Sequence, residues 1–144
     1  MNLQKNVLLA PYTSFNVGGE AEYFALVENS NDLIEALKCT LPDTKIWLLG
    51  YGSNSLISDK GLQGMTLCVR GGSISVEEDV VIADAGAWWD DVVRTSIENE
   101  LWGLELLSQI PGSVGAAAYI NIAAYGQSIG DTILWIEVWN RKKN

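Results

Sequence analysis

Two stretches of this chain offer groups that could do binding chemistry, and neither offers an acid or a base. The first is Gly50-Tyr51-Gly52-Ser53-Asn54-Ser55. Successive N–H groups of such a glycine loop can curl into an anion-binding nest, with the Ser53, Asn54 and Ser55 side chains beside it. The second is Ile110 to Gly126, I-P-G-S-V-G-A-A-A-Y-I-N-I-A-A-Y-G, inside an uncharged run from Leu106 to Gly130. Three glycines and five alanines keep its surface low, so something flat can lie against the backbone. Pro111 suits a helix entry and Gly112 a turn, leaving the N–H groups of Ser113 to Gly115 free at a positive helix end. Each stretch also has a plain structural reading. The first can be a tight turn, the second a Gly/Ala-rich helix packed closely on a sheet.

Other chemistries are excluded or poorly supported. With no histidine, imidazole bases and histidine metal ligands are absent. The Gly-x-Gly pair at 50–52 suggests a dinucleotide fingerprint, but Leu56 to Gly64 is too short and glycine-broken to be the helix that motif opens. No Walker-type Gly-Lys-Ser/Thr occurs. Glu77, Glu78 and Asp79 read as a solvated hairpin tip, with cation binding as the alternative. Glu105, the last charge before the uncharged run, reads as a buried structural carboxylate that caps nearby N–H groups. Cys39 and Cys68 lie far apart in apolar patterns and read as small buried hydrophobes, without zinc or disulfide spacing.

The 144 residues suffice for one domain or two small lobes, and 48% apolar with 19% charged residues marks a folded chain. A net charge of −9 argues against nucleic acid or an anionic membrane as partner. An anionic ligand would depend on backbone N–H groups and a few arginines. Pro111, Asn121, Gln127 and several glycines interrupt the uncharged run too often for a membrane span. The N-terminus lacks an export signal, so a cytoplasmic location is expected. The six tryptophans read as core filling.

These candidate residues need elements to hold them. Residues 1–22 read as an irregular lead-in, and Tyr23 to Val27 as a strand. Asn29 to Asp32 offers a helix N-cap, Leu33 to Leu37 has helical spacing, and Pro42 closes the element. Lys45 to Leu49 returns to strand, making a strand–helix–strand unit with parallel strands and a right-handed crossover. Met65 to Val69 is a further strand, and Ser73–Val76 with Val80–Ala83 a hairpin. Ala87 to Leu101 is the clearest helix. Ile133 to Trp139 is apolar at nearly every position, as in a strand buried on both faces.

Read together, the motifs resemble one family. Thr13-Ser14-Phe15 and Val17-Gly18-Gly19 look like the opening signature of the UDP-N-acetylenolpyruvoylglucosamine reductases. The resemblance continues through Gly50-Tyr51-Gly52-Ser53-Asn54, Leu56, Asp59, Gly61 and Gly64. It returns in Gly86-Ala87-Trp88-Trp89, Trp102-Gly103-Leu104-Glu105, Ile110-Pro111-Gly112-Ser113-Val114-Gly115, Asn121 and Ala124-Tyr125-Gly126, in the family's order and spacing. It implies an α+β fold: the two-lobed FAD-binding domain of the vanillyl-alcohol-oxidase type. The first lobe would span residues 1–57 and the second, incomplete, 58–144.

The resemblance further implies where FAD sits. Gly50, Tyr51, Gly52, Ser53, Asn54, Ser55 and Leu56 become the pyrophosphate cradle. Ile110, Pro111, Gly112, Ser113, Gly115, Ala116, Asn121, Tyr125 and Gly126 become the wall along the flavin. Ala123 stands where the family usually has glycine, so a need for positive φ there would weaken binding. The family's substrate-meeting Tyr-Arg segment, its proton-donating Ser or Cys and its late Glu have no counterpart in this sequence. The substrate domain is also absent. The implied chain is therefore the truncated FAD-binding portion of an enzyme that uses NADPH to reduce a nucleotide sugar, inactive alone. A non-catalytic FAD or adenine-nucleotide module, and a ligand-free assembly protein, are the alternatives. The apolar strand at 133–139 would be left with an open edge, so a homodimer through that strand is expected.

Overall fold

The computed structural model describes residues 2–140. A four-stranded sheet organises the N-terminal half, in the order β1 (Leu3–Leu8), β2 (Glu20–Val27), β4 (Leu62–Val69), β3 (Ile46–Leu49). β1 runs antiparallel to β2, while β2 and β3 both run parallel to β4. The strand–helix–strand reading holds, with β4 lying between its two strands. β4 is buried at four successive positions, Met65 to Cys68. A central strand covered on both faces accounts for that continuous buried run.

One face of this sheet carries α1 (Ser30–Lys38). Asn29 caps the helix by accepting from the Asp32 N–H at 3.0 Å, and Ala36 packs with Leu33 and Leu37 over Ala25, Val27, Met65 and Leu67. The other face buries Leu9, Ala21, Phe24, Leu49, Ile57 and Cys68.

Two expectations are corrected in this half. Residues 1–22 are not an irregular lead-in, because Leu3–Leu8 forms β1 along the edge of β2. Cys39 is exposed rather than buried, since it follows the last turn of α1.

Beyond β4 come the hairpin β5 (Ile74–Glu77) with β6 (Val80–Ala83), α2 (Trp89–Glu98), α3 (Val114–Ile120), and a small hairpin of β7 (Ala123–Ala124) with β8 (Gln127–Ser128). Their core comprises Trp89, Val92, Val93, Leu107, Ala117, Ile122 and Ile129. Trp89 is the largest fully buried side chain, and its ring N–H donates to the Leu107 carbonyl at 2.9 Å.

Ile133 to Trp139 departs from expectation. It forms no strand among the described residues, and Leu134, Trp135, Ile136, Val138 and Trp139 are all exposed. Apolar composition alone does not make a strand, which needs a partner to satisfy its N–H and C=O groups. No helix among the described residues is long and apolar enough to cross a membrane.

Candidate functional site

The glycine loop leaves the C-terminal end of β3, beside the same end of β4. Ligands of parallel α/β sheets gather outside these strand ends. A cleft of about 490 Å³ opens there, a volume in the ordinary range for small-molecule sites. Gly50 to Ser55 line one side. Ile110 to Ser113 and the α3 residues Ala116, Ala117, Tyr119 and Ile120 line the other, joined by Leu48, Trp89 and Ile122.

The loop is fixed from several directions. Gly52 has φ +70, and a Cβ there would run into the Tyr12 carbonyl oxygen, so only glycine fits. The Gly52 carbonyl accepts from the Ser14 N–H at 3.1 Å. Arg70 donates from Nε to the Gly50 carbonyl at 3.0 Å and from Nη2 to the Tyr12 carbonyl at 2.9 Å. The Tyr51 hydroxyl reaches the Gly86 carbonyl at 3.3 Å, and its ring meets Trp88 edge-on with centroids 4.6 Å apart. None of the backbone N–H groups from Tyr51 to Leu56 donates to an acceptor among the described residues. Six consecutive amides, five of them on residues that line the cleft, thus have no protein acceptor among the described residues.

The facing wall differs from the expected free helix end. Val114 donates to the Ala87 carbonyl at 3.0 Å and Gly115 to the Ala85 carbonyl at 2.8 Å. Trp88 and Ser113 form an isolated antiparallel bridge, with Trp89 N–H on the Gly112 carbonyl at 3.0 Å. The Ser113 hydroxyl caps Ala116 N–H at 3.3 Å. The Ala85–Trp89 backbone consumes the Val114 and Gly115 donors, the Ser113 N–H has no acceptor among the described residues, and most of what faces the cleft is a wall of small and apolar residues.

Eleven of the sixteen expected site residues line this cleft: Gly50 to Ser55, Ile110 to Ser113, and Ala116. The other five do not. Leu56 lies beyond the lining at 79% exposure, and Gly115 packs on Ala85. Asn121 ends α3 in the left-handed conformation and accepts from Gly130 N–H at 2.9 Å. Tyr125 and Gly126, at φ 50 and 89, make the two-residue turn between β7 and β8. Ala123 is not at positive φ, so its methyl group meets no strain. Leu48, Trp89, Ala117, Tyr119, Ile120 and Ile122 were missed. Leu48 could have been found as the strand residue just before the loop, and Tyr119 and Ile120 from their helical spacing to Ala116.

Among the described residues the lining contains no carboxylate, lysine or arginine, and Tyr51 and Tyr119 are its only titratable side chains. Such a lining offers a ligand backbone amides and apolar contact. The perturbed carboxylates lie elsewhere. Glu105 is held below the usual range by its own N–H and that of Gly103, with Gln127 adding a bond at 3.0 Å. That matches the structural capping role expected for it, although it is half-buried rather than buried. Asp90 is lowered by the Gln109 N–H at 2.6 Å and the Ser108 hydroxyl at 2.9 Å. No group of three or more metal-ligating side chains occurs among the described residues, the hairpin tip at Glu77, Glu78 and Asp79 included.

Comparison with known proteins gives this geometry a context. The chain is 36% identical to the UDP-N-acetylenolpyruvoylglucosamine reductase of a Mycobacterium species over 97% of its length and 40% of that protein. It is 40% identical to the corresponding reductase of Pseudothermotoga lettingae, over 92% of the chain and 45% of the relative. The crystal structure of the Thermus caldophilus UDP-N-acetylenolpyruvylglucosamine reductase superposes with a TM-score of 0.73 at 28% identity. That match covers 91% of this chain and 46% of the other. The chain thus spans less than half the length of these relatives. Residues 21–142 match the family model described as the FAD binding domain. With that match over most of its length and the α+β fold superposing on a solved relative, this chain belongs to the FAD-binding domain family.

Proposed function

We propose that this chain is the FAD-holding part of a UDP-N-acetylenolpyruvoylglucosamine reductase, and that the cleft between the glycine loop and α3 is where FAD lies. The observation that carries this reading is the run of unpartnered amides from Tyr51 to Leu56 at the mouth of an uncharged apolar cleft. A pyrophosphate needs several aligned donors, and backbone amides supply them in a protein of net charge −9. Gly52 fits the same purpose, because its place is a close approach that a Cβ would fill. Ile110, Ala116 and Ile120 offer low apolar surface to a ring system. Bound FAD would supply hydride chemistry, and these residues would bind it, orient it and exclude water.

In this reading NADPH is the reductant of the complete enzyme and a nucleotide sugar its substrate. Among the described residues the cleft holds no carboxyl, thiol or ammonium group to donate the final proton, a contribution commonly of about 10²–10⁴-fold. The chain alone therefore has no turnover with UDP-N-acetylenolpyruvoylglucosamine and NADPH. The same reading includes a cytoplasmic location and self-association, in which the exposed apolar segment at 133–139 is covered by a second copy.

Titrating FAD into the purified chain, followed by the visible flavin band, tests the assignment. The parent protein should shift and quench the flavin, and Gly52→Asp, which sets a carboxylate against the loop, should not. Equal binding by the variant, or no binding by a parent shown folded by circular dichroism, rejects it. The second outcome leaves the ligand-free assembly protein as the better reading.

A further inference from the structure

The donors that hold the glycine loop sit on its carbonyl side. Arg70 Nε bonds the Gly50 carbonyl at 3.0 Å, and Ser14 N–H bonds the Gly52 carbonyl at 3.1 Å. Every peptide bond described is trans, and in a trans unit the C=O and the following N–H point in opposite directions. The N–H of Tyr51 therefore points away from Arg70, and that of Ser53 away from Ser14. Neither has an acceptor among the described residues. Two alternate peptide units of the loop thus have their carbonyls engaged and their amides open.

The two engagements differ in kind. Ser14 contributes a neutral amide, whereas Arg70 contributes a cationic guanidinium. An ionised donor on a carbonyl polarises the whole peptide unit and strengthens the N–H at its far end. The Arg70 fork is also fixed in place. Its second arm is tied to the Tyr12 carbonyl at 2.9 Å, and its Cζ lies 5.3 and 5.1 Å from the Tyr12 and Tyr51 ring centroids. The Cys68 thiol, which burial pushes up and so keeps protonated, adds only a weak sulfur contact to the same Gly50 oxygen at 3.8 Å. Arg70 is absent from the cleft lining. Its charge acts on the cleft from behind the loop.

We propose that Arg70 is a positioning residue for a pyrophosphate ligand, acting through the Gly50–Tyr51 peptide unit rather than by touching the ligand. Its charge makes Tyr51 N–H the strongest donor of the loop. In consequence Arg70 sets affinity for the phosphate portion of FAD and leaves recognition of the flavin ring unchanged. This inference rests on the FAD reading above for its ligand, but its physical core, the polarised Tyr51 amide, exists without any ligand.

The test uses the full chain with Arg70→Lys, which keeps the charge, and Arg70→Gln, which keeps a donor without it. FAD affinity should fall about tenfold in Arg70→Gln, the difference between a charged and a neutral hydrogen bond, and largely recover in Arg70→Lys. Affinity for riboflavin, which has no phosphate, should be the same in all three proteins. In ligand-free ¹⁵N–¹H spectra the Tyr51 amide proton should move in Arg70→Gln by more than that of Asn54. Equal losses for FAD and riboflavin would reveal a merely structural arginine and overturn the proposal, as would unchanged FAD affinity in Arg70→Gln. If the parent chain binds no FAD, the function proposed above fails separately. The Tyr51 resonance and a titration with inorganic pyrophosphate then decide about Arg70, and an unmoved resonance rejects it.

Discussion

The Ser53 hydroxyl donates to the Pro111 carbonyl at 2.8 Å, joining the glycine loop to the apolar stretch 58 positions away. This bond crosses the cleft. It leaves the Ser53 N–H unused while fixing how far the loop stands from Gly112, whose own Cβ position would lie 3.6 Å from the same hydroxyl oxygen. One side chain thus sets the spacing of the two walls.

Removing that hydroxyl should therefore act on binding more than on folding. Ser53→Ala loses one partly exposed hydrogen bond, worth about 1 kcal/mol. We expect a melting point lower by only a few degrees, and a weaker FAD complex by several-fold in fluorescence titration. A fall in stability without a fall in affinity would place Ser53 outside the working part of the cleft.

Among the described residues one buried side-chain polar atom lacks a partner, Oγ1 of Thr66 on β4. A buried unsatisfied hydroxyl costs about 1–3 kcal/mol, and valine has nearly the same shape without it. Thr66→Val should raise stability by about 1 kcal/mol, measured as a shift of the urea midpoint at unchanged slope. Destabilisation would mean that a water meets the hydroxyl in solution.

The stability profile with pH should be shaped by Glu105 and Asp90, whose carboxyls are both held low by hydrogen bonds to their ionised forms. A folded-state value below the unfolded one means the unfolded chain binds more protons in the interval between them. Stability from these groups is then fully present above the ordinary carboxylate range near about pH 4, and is lost as pH falls through their depressed values. Glu105→Gln and Asp90→Asn should each flatten the acid limb of the urea midpoint against pH. At pH 7 both should be less stable than the parent, and the gap should close towards pH 2. A gap that stays constant with pH would mean the charge itself contributes nothing.

How much of this could be read from the residues varied with the range of the interactions involved. Asn29 with Leu33 and Leu37 announced α1 because capping and helical spacing are local. Gly50 to Ser55 announced a strand-to-strand loop for the same reason. β1 was missed because Leu3–Leu8 is exposed at nearly every position, with Asn6 at φ 52, and so lacks the alternation that marks a half-buried strand. The amides of Val114 and Gly115 looked free because their acceptors, Ala87 and Ala85, lie almost thirty positions earlier. Nothing local reveals such a partner. Arg70 escaped notice in the same way: its two carbonyl acceptors are 20 and 58 positions away.

The apolar segment that follows Thr132 should drive self-association. Leu134, Trp135, Ile136, Val138 and Trp139 are all exposed, Val138 at 76% and Leu134 at 73%. Their backbone forms no strand among the described residues, so N–H and C=O groups are open beside large apolar side chains. Few soluble monomers leave such a patch uncovered, because burying each large apolar side chain is worth about 1.5–3 kcal/mol. A second copy of the chain offers the same segment in return, and two extended segments can pair about a two-fold axis. Light scattering on the 144-residue chain should therefore give a mass that rises with concentration towards twice 15.7 kDa. Trp135→Lys with Val138→Lys should hold it at the monomer mass without lowering FAD affinity, since neither residue lines the cleft. A parent chain that stays monomeric and soluble at every concentration would show that the segment folds back onto its own chain in solution.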